Sequence, residues 1–185
     1  MQAVTDRQQI GQTYQRFAEL ICKEGEPFPR TVGYPGGNVQ TIVLWHEDLK
    51  IWVLLYTRDR HNRYWCAFGL EDPSSASTLS ITCEINPPRE GVDRKCAGLF
   101  VRDESGEFFL AHSGKVGGGR PGIGKSAFLK RWKQLGNDIV SVSFPNSEKS
   151  DYIIVGSIAD PDFRRNLKKF VHSVGTIKAE LAGTV

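Results

Sequence analysis

A series of short apolar segments between residues 41 and 112 constrains the fold of this chain more than any other feature. Six segments have the β-branched and aromatic composition of strands: residues 41–46, 50–57, 64–70, 78–85, 96–102 and 108–112. Because short connections join antiparallel neighbours, the series predicts an antiparallel sheet of five or six strands, curled or barrel-like. The nearly continuous apolar run from Ile51 to Tyr56 predicts a central strand that is covered on both faces.

Helical periodicity flanks this series at both ends of the chain. Near the N-terminus the apolar spacing predicts a helix over residues 5–24. Its apolar face consists of Ile10, Tyr14, Phe17 and Ile21. A C-terminal helix begins at Asp160 and Pro161, and a hairpin over 139–158 precedes it. The length suits one domain over residues 1–185. The predicted class is α+β, a curved, largely antiparallel sheet flanked by N- and C-terminal helices.

Residues 111–136 combine a glycine-rich loop with a basic helix predicted over 126–135. The stretch contains no acid and six cations, which are Lys115, Arg120, Lys125, Lys130, Arg131 and Lys133. Glycines leave backbone N–H groups uncovered and permit positive φ, and the positive end of the helix dipole points back at the loop. These features predict a phosphate-binding site built from Lys115, Arg120, Lys125 and Ser126, with the backbone N–H groups of Gly117, Gly118 and Gly119.

The segment from Gly119 to Ser126 also matches G-x-x-x-x-G-K-[ST] and so resembles a Walker A P-loop. In a true P-loop, Lys125 would reach the β- and γ-phosphates and Ser126 would hold Mg²⁺. Such a loop follows a buried parallel strand and is followed by several βα units. Residues 115–118 do not form such a strand, and residues 127–185 supply only two strands and one helix. An enzyme that uses a nucleotide or another phosphate ligand is therefore the alternative to nucleic-acid binding.

Secondary candidates lie outside the glycine-rich loop. His112 ends a strand beside the loop and could donate to phosphate, although a surface histidine at a strand end is the commoner case. Tyr34 lies among glycines in a long loop and could either stack on a base or fill a groove on its own domain. A second positive cluster could contact phosphates or form a solvated hairpin tip; it consists of Arg58, Arg60 and Arg63.

The composition is that of an ordinary globular protein, with a net charge of +3. Because the positive charge is concentrated in one stretch of a nearly neutral chain, it favours a polyanion that binds at one face. Four cysteines without a C-x-x-C motif are predicted to be small buried residues in a reducing compartment: Cys22, Cys66, Cys83 and Cys96. Neither a metal nor another cofactor is predicted. The chain has no signal-like segment and no apolar run that could span a bilayer, which predicts a cytoplasmic location without a membrane partner.

Four segments together carry a resemblance to a known class of module: residues 64–69 (YWCAFG), 83–87 (CEINP), 98–100 (GLF) and 112–120 (HSGKVGGGR). Over roughly residues 40–135 the chain resembles DNA-sensing modules associated with HNH-type nucleases of bacterial restriction and phage-defence systems. The resemblance implies a targeting domain that leaves cutting to a nuclease domain or subunit. We therefore expect a binding module rather than an enzyme, with duplex DNA, plain or modified, as its partner.

Overall fold

A computed structural model of the chain describes residues 1–23, 25–27, 41–56, 64–70, 80–85, 97–116 and 124–182. Within these ranges the helices are α1 (Arg7–Cys22), α2 (Lys125–Gln134) and α3 (Phe163–Ala182). The strands are β1 (Gln2–Ala3), β2 (Glu26–Pro27), β3 (Thr41–His46), β4 (Ile51–Tyr56), β5 (Tyr64–Leu70), β6 (Ser80–Ile85), β7 (Gly98–Arg102), β8 (Phe108–His112), β9 (Val140–Ser143) and β10 (Lys149–Ser157).

The described strands form two sheets. One sheet closes into a barrel in the order β1-β7-β8-β10-β9, in which every pair except β1 with β9 is antiparallel. The other is an open antiparallel sheet in the order β2-β3-β4-β5-β6. The predicted α+β class with flanking helices is therefore confirmed. The prediction of one sheet with five or six strands is wrong, because the series divides between β6 and β7 and four further strands complete the two sheets.

The open sheet buries both of its faces at β4. Its register places Leu44 opposite Val53 and Val53 opposite Phe68, and this row belongs to the main core. On the other face Leu54 lies opposite Ala67, and both side chains are buried in a separate cluster with Trp52. The prediction that β4 is central and covered on both faces is therefore confirmed.

Helix α1 packs on the open sheet through the apolar face that the sequence predicts, and its four residues, Ile10, Tyr14, Phe17 and Ile21, are all buried. The Phe17 ring meets Phe68 of β5 and Phe163 of α3 edge-on, with centroid distances of 6.4 and 5.6 Å. The helix begins later than predicted because Asp6 caps it, accepting a hydrogen bond from the Gln9 N–H at 2.8 Å.

Helix α3 covers the junction of the two sheets, and one continuous core cluster includes residues of both sheets and all three helices. The Asp160 side chain accepts a hydrogen bond from the Asp162 N–H, and the helix begins at Phe163, two residues after the predicted Pro161. Gly175 lies within the helix and does not interrupt it. Among the described residues, no helix combines the length and apolar character needed to cross a bilayer.

Two of the four cysteines lie in described parts with known burial. Cys66 is buried in β5, in agreement with the prediction. Cys22 is exposed, so its predicted burial is wrong. It occupies the last turn of α1, next to the buried Ile21, on the side of the helix that faces away from the core. The Cys22 thiol is still partly removed from water, and this partial burial raises its pKa.

Candidate nucleic-acid interface

The start of the glycine-rich loop is fixed against α2. Gly114 has a φ of 75°, and a Cβ on this residue would lie 2.9 Å from Leu129 Cδ2 and 3.1 Å from Phe128 Cδ1. Ser113, which is buried, donates its backbone N–H to the carbonyl of Ala97 at 2.8 Å. A side chain at position 114 would combine an unfavourable backbone conformation with a clash. The chain therefore leaves β8 along a path that only glycine allows.

His112 lies beneath this start of the loop, and it is completely buried. Its Nδ1 accepts the Gly114 backbone N–H at 3.1 Å, and its ring lies 5.4 Å from the Phe170 ring of α3. The expectation of a surface histidine is therefore wrong, because β8 is an interior strand of the barrel, between β7 and β10. The role in phosphate binding stays a prediction, and the observed contacts give the ring a supporting position under the loop.

The N-terminus of α2 has the features of an anion site. Gly124 is the N-cap residue in an extended conformation and has no side chain that could cap the helix, and the first turn contains no acid. The first N–H groups of a helix have no partner within the helix, and they carry its positive partial charge. Ser126, in this first turn, is exposed. The helix thus presents uncapped donors at the end of the glycine-rich connection.

Lys125 lies at this end of α2 with its side chain along β10. Its Nζ donates to Ser150 Oγ at 3.3 Å and lies 5.4 Å from the centre of the Tyr152 ring. These contacts hold the ammonium group beside the barrel, where a ring face attracts a cation. The structure therefore brings Lys125 and Ser126 together at one helix end, and Lys115 lies exposed at the opposite end of the connection.

The basic stretch is partly neutralised by an acid that is distant in sequence. Arg131 Nε lies 2.6 Å from one carboxylate oxygen of Glu180 in α3, and its Nη2 lies 3.1 Å from the other. This bidentate contact lowers the pKa of Glu180 and raises that of Arg131. Lys130 and Lys133 are exposed, and neither forms an ion pair with a described residue. Local sequence identified the cations but not the acid that pairs with one of them.

A cleft of about 240 Å³ opens at the other end of α2, where no predicted site residue lies. Its lining comes from three segments and includes Trp132, Asn137, Asp138, Asn166, Lys169 and Phe170. Trp132 and Phe170 are both buried. The only sequence signal for this cleft is the polar pair Asn137-Asp138 directly after a basic helix. The α3 residues that complete the cleft are almost thirty positions away in sequence.

Eight of the predicted site residues lie outside the described ranges: Tyr34, Arg58, Arg60, Arg63, Gly117, Gly118, Gly119 and Arg120. Within the described part of the chain, no three His, Cys, Asp or Glu side chains group as metal ligands would. No protein-family model, no curated protein and no solved structure matches the chain with significance.

Proposed function

We propose that this chain binds duplex DNA, plain or modified, through the N-terminus of α2 and the glycine-rich connection before it. The observation that carries the proposal is the uncapped, acid-free first turn of α2, which follows Gly124. Phosphate oxygens accept hydrogen bonds from such helix ends, and the helix dipole adds to the attraction. The fixed position of Ser113 and Gly114 supports the same use, because residues that are already held lose less entropy on binding.

Exposed cations near this helix supply the long-range attraction that a polyanion requires. Lys115 precedes the connection, and Lys130 and Lys133 lie on the exposed side of α2. No described acid forms an ion pair with these three side chains. Lysines in this state release counterions from DNA when they approach its phosphates, which makes affinity depend on salt.

The P-loop alternative is weaker on geometric grounds. A P-loop connects a parallel strand to its helix, whereas β8 is antiparallel to both of its neighbours. This strand arrangement favours a polymer of phosphodiesters over a nucleotide substrate. The resemblance to DNA-sensing modules of restriction systems supports a targeting role, with strand cleavage left to a nuclease domain or subunit.

The proposal is tested by the double substitution of Arg120→Ala and Lys125→Ala. Removing two phosphate contacts should weaken duplex binding about tenfold or more at low salt and reduce the slope of log K against log salt by about two. Fluorescence anisotropy with a labelled duplex measures both quantities. Lys23→Ala, an exposed lysine at the end of α1, is the matched control and should leave both unchanged within error.

Two results would remove the proposal. One is wild-type affinity and slope in the double variant, provided that its circular dichroism spectrum shows a folded protein. The other is calorimetric binding of ATP with Mg²⁺ by a wild-type protein that ignores duplex DNA, which would favour the nucleotide enzyme.

A further inference from the structure

The cleft at the C-terminal end of α2 has two chemically different parts. Its base is apolar and includes Trp132 and Phe170, which are only 6 % and 3 % exposed and meet at an interplanar angle of 62°. Its rim is polar, and it consists of Asn137, Asp138, Asn166, Ser173 and the exposed Lys169. An apolar base with a few convergent polar groups is the usual construction of a ligand site.

Two hydrogen bonds fix parts of this rim in advance. The Trp132 indole N–H donates to the backbone carbonyl of Asp138 at 3.0 Å, which ties the loop after α2 to the helix. The Asn166 side-chain amide donates to Asp160 Oδ2 at 2.9 Å, which holds the amide in one orientation. Rim groups that are already held bind with a smaller loss of entropy.

We propose that this cleft takes one unstacked nucleobase of the bound DNA, an inference that rests on the DNA-binding function proposed above. The volume of about 240 Å³ lies just below the range of roughly 300–1,000 Å³ for drug-sized ligands, which suits a single base. Asparagine amides offer the paired donor and acceptor that base edges recognise, and an aspartate accepts from exocyclic amino groups. Apolar and aromatic walls suit the faces of a base that has left its stack.

The position of the cleft relative to the phosphate site supports this occupant. Helix α2 has ten residues and therefore spans about 15 Å. The uncapped donors lie at its first turn, the exposed Lys130 and Lys133 lie farther along it, and Asn137 follows its end. Lys169 then adds a cation at the rim of the cleft. A backbone held at the first turn can thus extend past these lysines and place a base about four nucleotides farther along at the cleft.

The experiment uses a duplex with one mispaired 2-aminopurine, because a mispaired base costs least to extrude and its fluorescence rises when it unstacks. Wild-type protein should raise this fluorescence in proportion to the fraction bound, which anisotropy of an end label measures in parallel. Ser173→Leu fills the rim of the cleft from α3. It should retain duplex affinity within about twofold of wild type yet abolish the fluorescence rise. His172→Leu, at the exposed neighbouring position, is the matched control and should behave as wild type.

Asn137→Ala provides a second variant on the loop, in case Ser173→Leu does not fold. It should lower the fluorescence rise at saturation about tenfold, as expected when a base-edge contact is lost. A wild-type protein that binds the duplex without unstacking 2-aminopurine overturns the inference and leaves DNA binding intact, as does a full rise in both cleft variants. A wild-type protein that shows no anisotropy change with any duplex overturns both proposals.

Discussion

Two regions of this molecule contain clusters of cations, but the cations differ in whether they form ion pairs within the protein. Helix α2 and the connection before it expose Lys115, Lys130 and Lys133, and none of these is paired with a described acid. The first turn of α3 has Arg164 and Arg165 instead, and both are paired. The surroundings of α2 therefore keep a positive surface, whereas the start of α3 uses its cations within the protein.

The pairing at α3 is a connection between distant parts of the fold. Arg164, which is 17 % exposed, lies 3.1 Å from Asp48 in the turn after β3 and 3.3 Å from Nδ1 of the buried His46. Arg165 lies 3.6 Å from Asp162, on the exposed surface of the same turn. The comparison shows that a basic side chain forms an ion pair or stays available to a partner according to which acids the fold places near it. Of these two regions, the surface around α2 is therefore the one that fits the proposed polyanion partner.

The largest expected effect concerns the anchor of the α2 region at Gly114. Gly114→Ala should lower the free energy of unfolding by about 2–4 kcal/mol, because it combines a positive φ with a steric clash against Leu129. Gly106→Ala is the matched control, since Gly106 has a φ of 90° and open space around it. It should cost only about 1–2 kcal/mol. Urea denaturation measures both values, and equal losses would contradict the proposed anchor.

A smaller effect is expected at the paired cations of α3. Arg164→Met should lower the free energy of unfolding by about 1–2 kcal/mol, because it breaks a partly buried contact with Asp48, and leave DNA affinity unchanged. Arg165→Met should be nearly neutral, since the side chains of that pair are 77 % and 65 % exposed. A clear loss of DNA affinity in Arg164→Met would mean that the first turn of α3 belongs to the interface and would remove the distinction between the two regions.

Local pattern was sufficient to predict most individual elements. The bounds of β3, β5 and β8 match the prediction, since each is a short apolar run between polar turns. The two-residue strands β1 and β2 carry no pattern, because Gln2–Ala3 and Glu26–Pro27 become strands only through their partners. For the same reason the division into two sheets was not predictable from spacing alone.

The candidate site was predictable only where its residues are adjacent in sequence. Ser126 and the uncapped start of α2 follow from the glycine-rich motif. The contact of Arg131 with Glu180 joins residues 49 positions apart, and the burial of His112 depends on β10 and α3. Neither contact leaves a signal near the residue concerned.

The smallest expected effect comes from restoring a cation to the α2 region. Glu180→Gln removes the acid that pairs with Arg131, so duplex affinity at low salt should rise by about twofold to fivefold. Glu104→Gln, which makes the same charge change in the exposed turn after β7, should produce a smaller gain. Anisotropy at low and high salt measures the difference. Equal gains in the two variants would show that only net charge matters.

The contribution of the Arg131–Glu180 pair to the stability of the fold should depend on pH. Hydrogen bonding to Arg131 lowers the pKa of Glu180 below its ordinary value of 4.5. The contribution of the pair to stability is therefore fully present above pH 4.5 and disappears as the pH falls through the lowered pKa. Thermal melts of wild type and Glu180→Gln should differ at neutral pH and converge in acid. A difference that persists below the lowered pKa would contradict this assignment.

The most direct test of DNA binding at the start of α2 is a backbone amide NMR titration with a short duplex. Contact of phosphate with the uncapped helix end predicts the largest chemical-shift changes at Lys125, Ser126 and Ala127, with little change at residues 163–165 of α3. Changes concentrated at 163–165, with residues 125–127 unmoved at saturating DNA, would contradict the account.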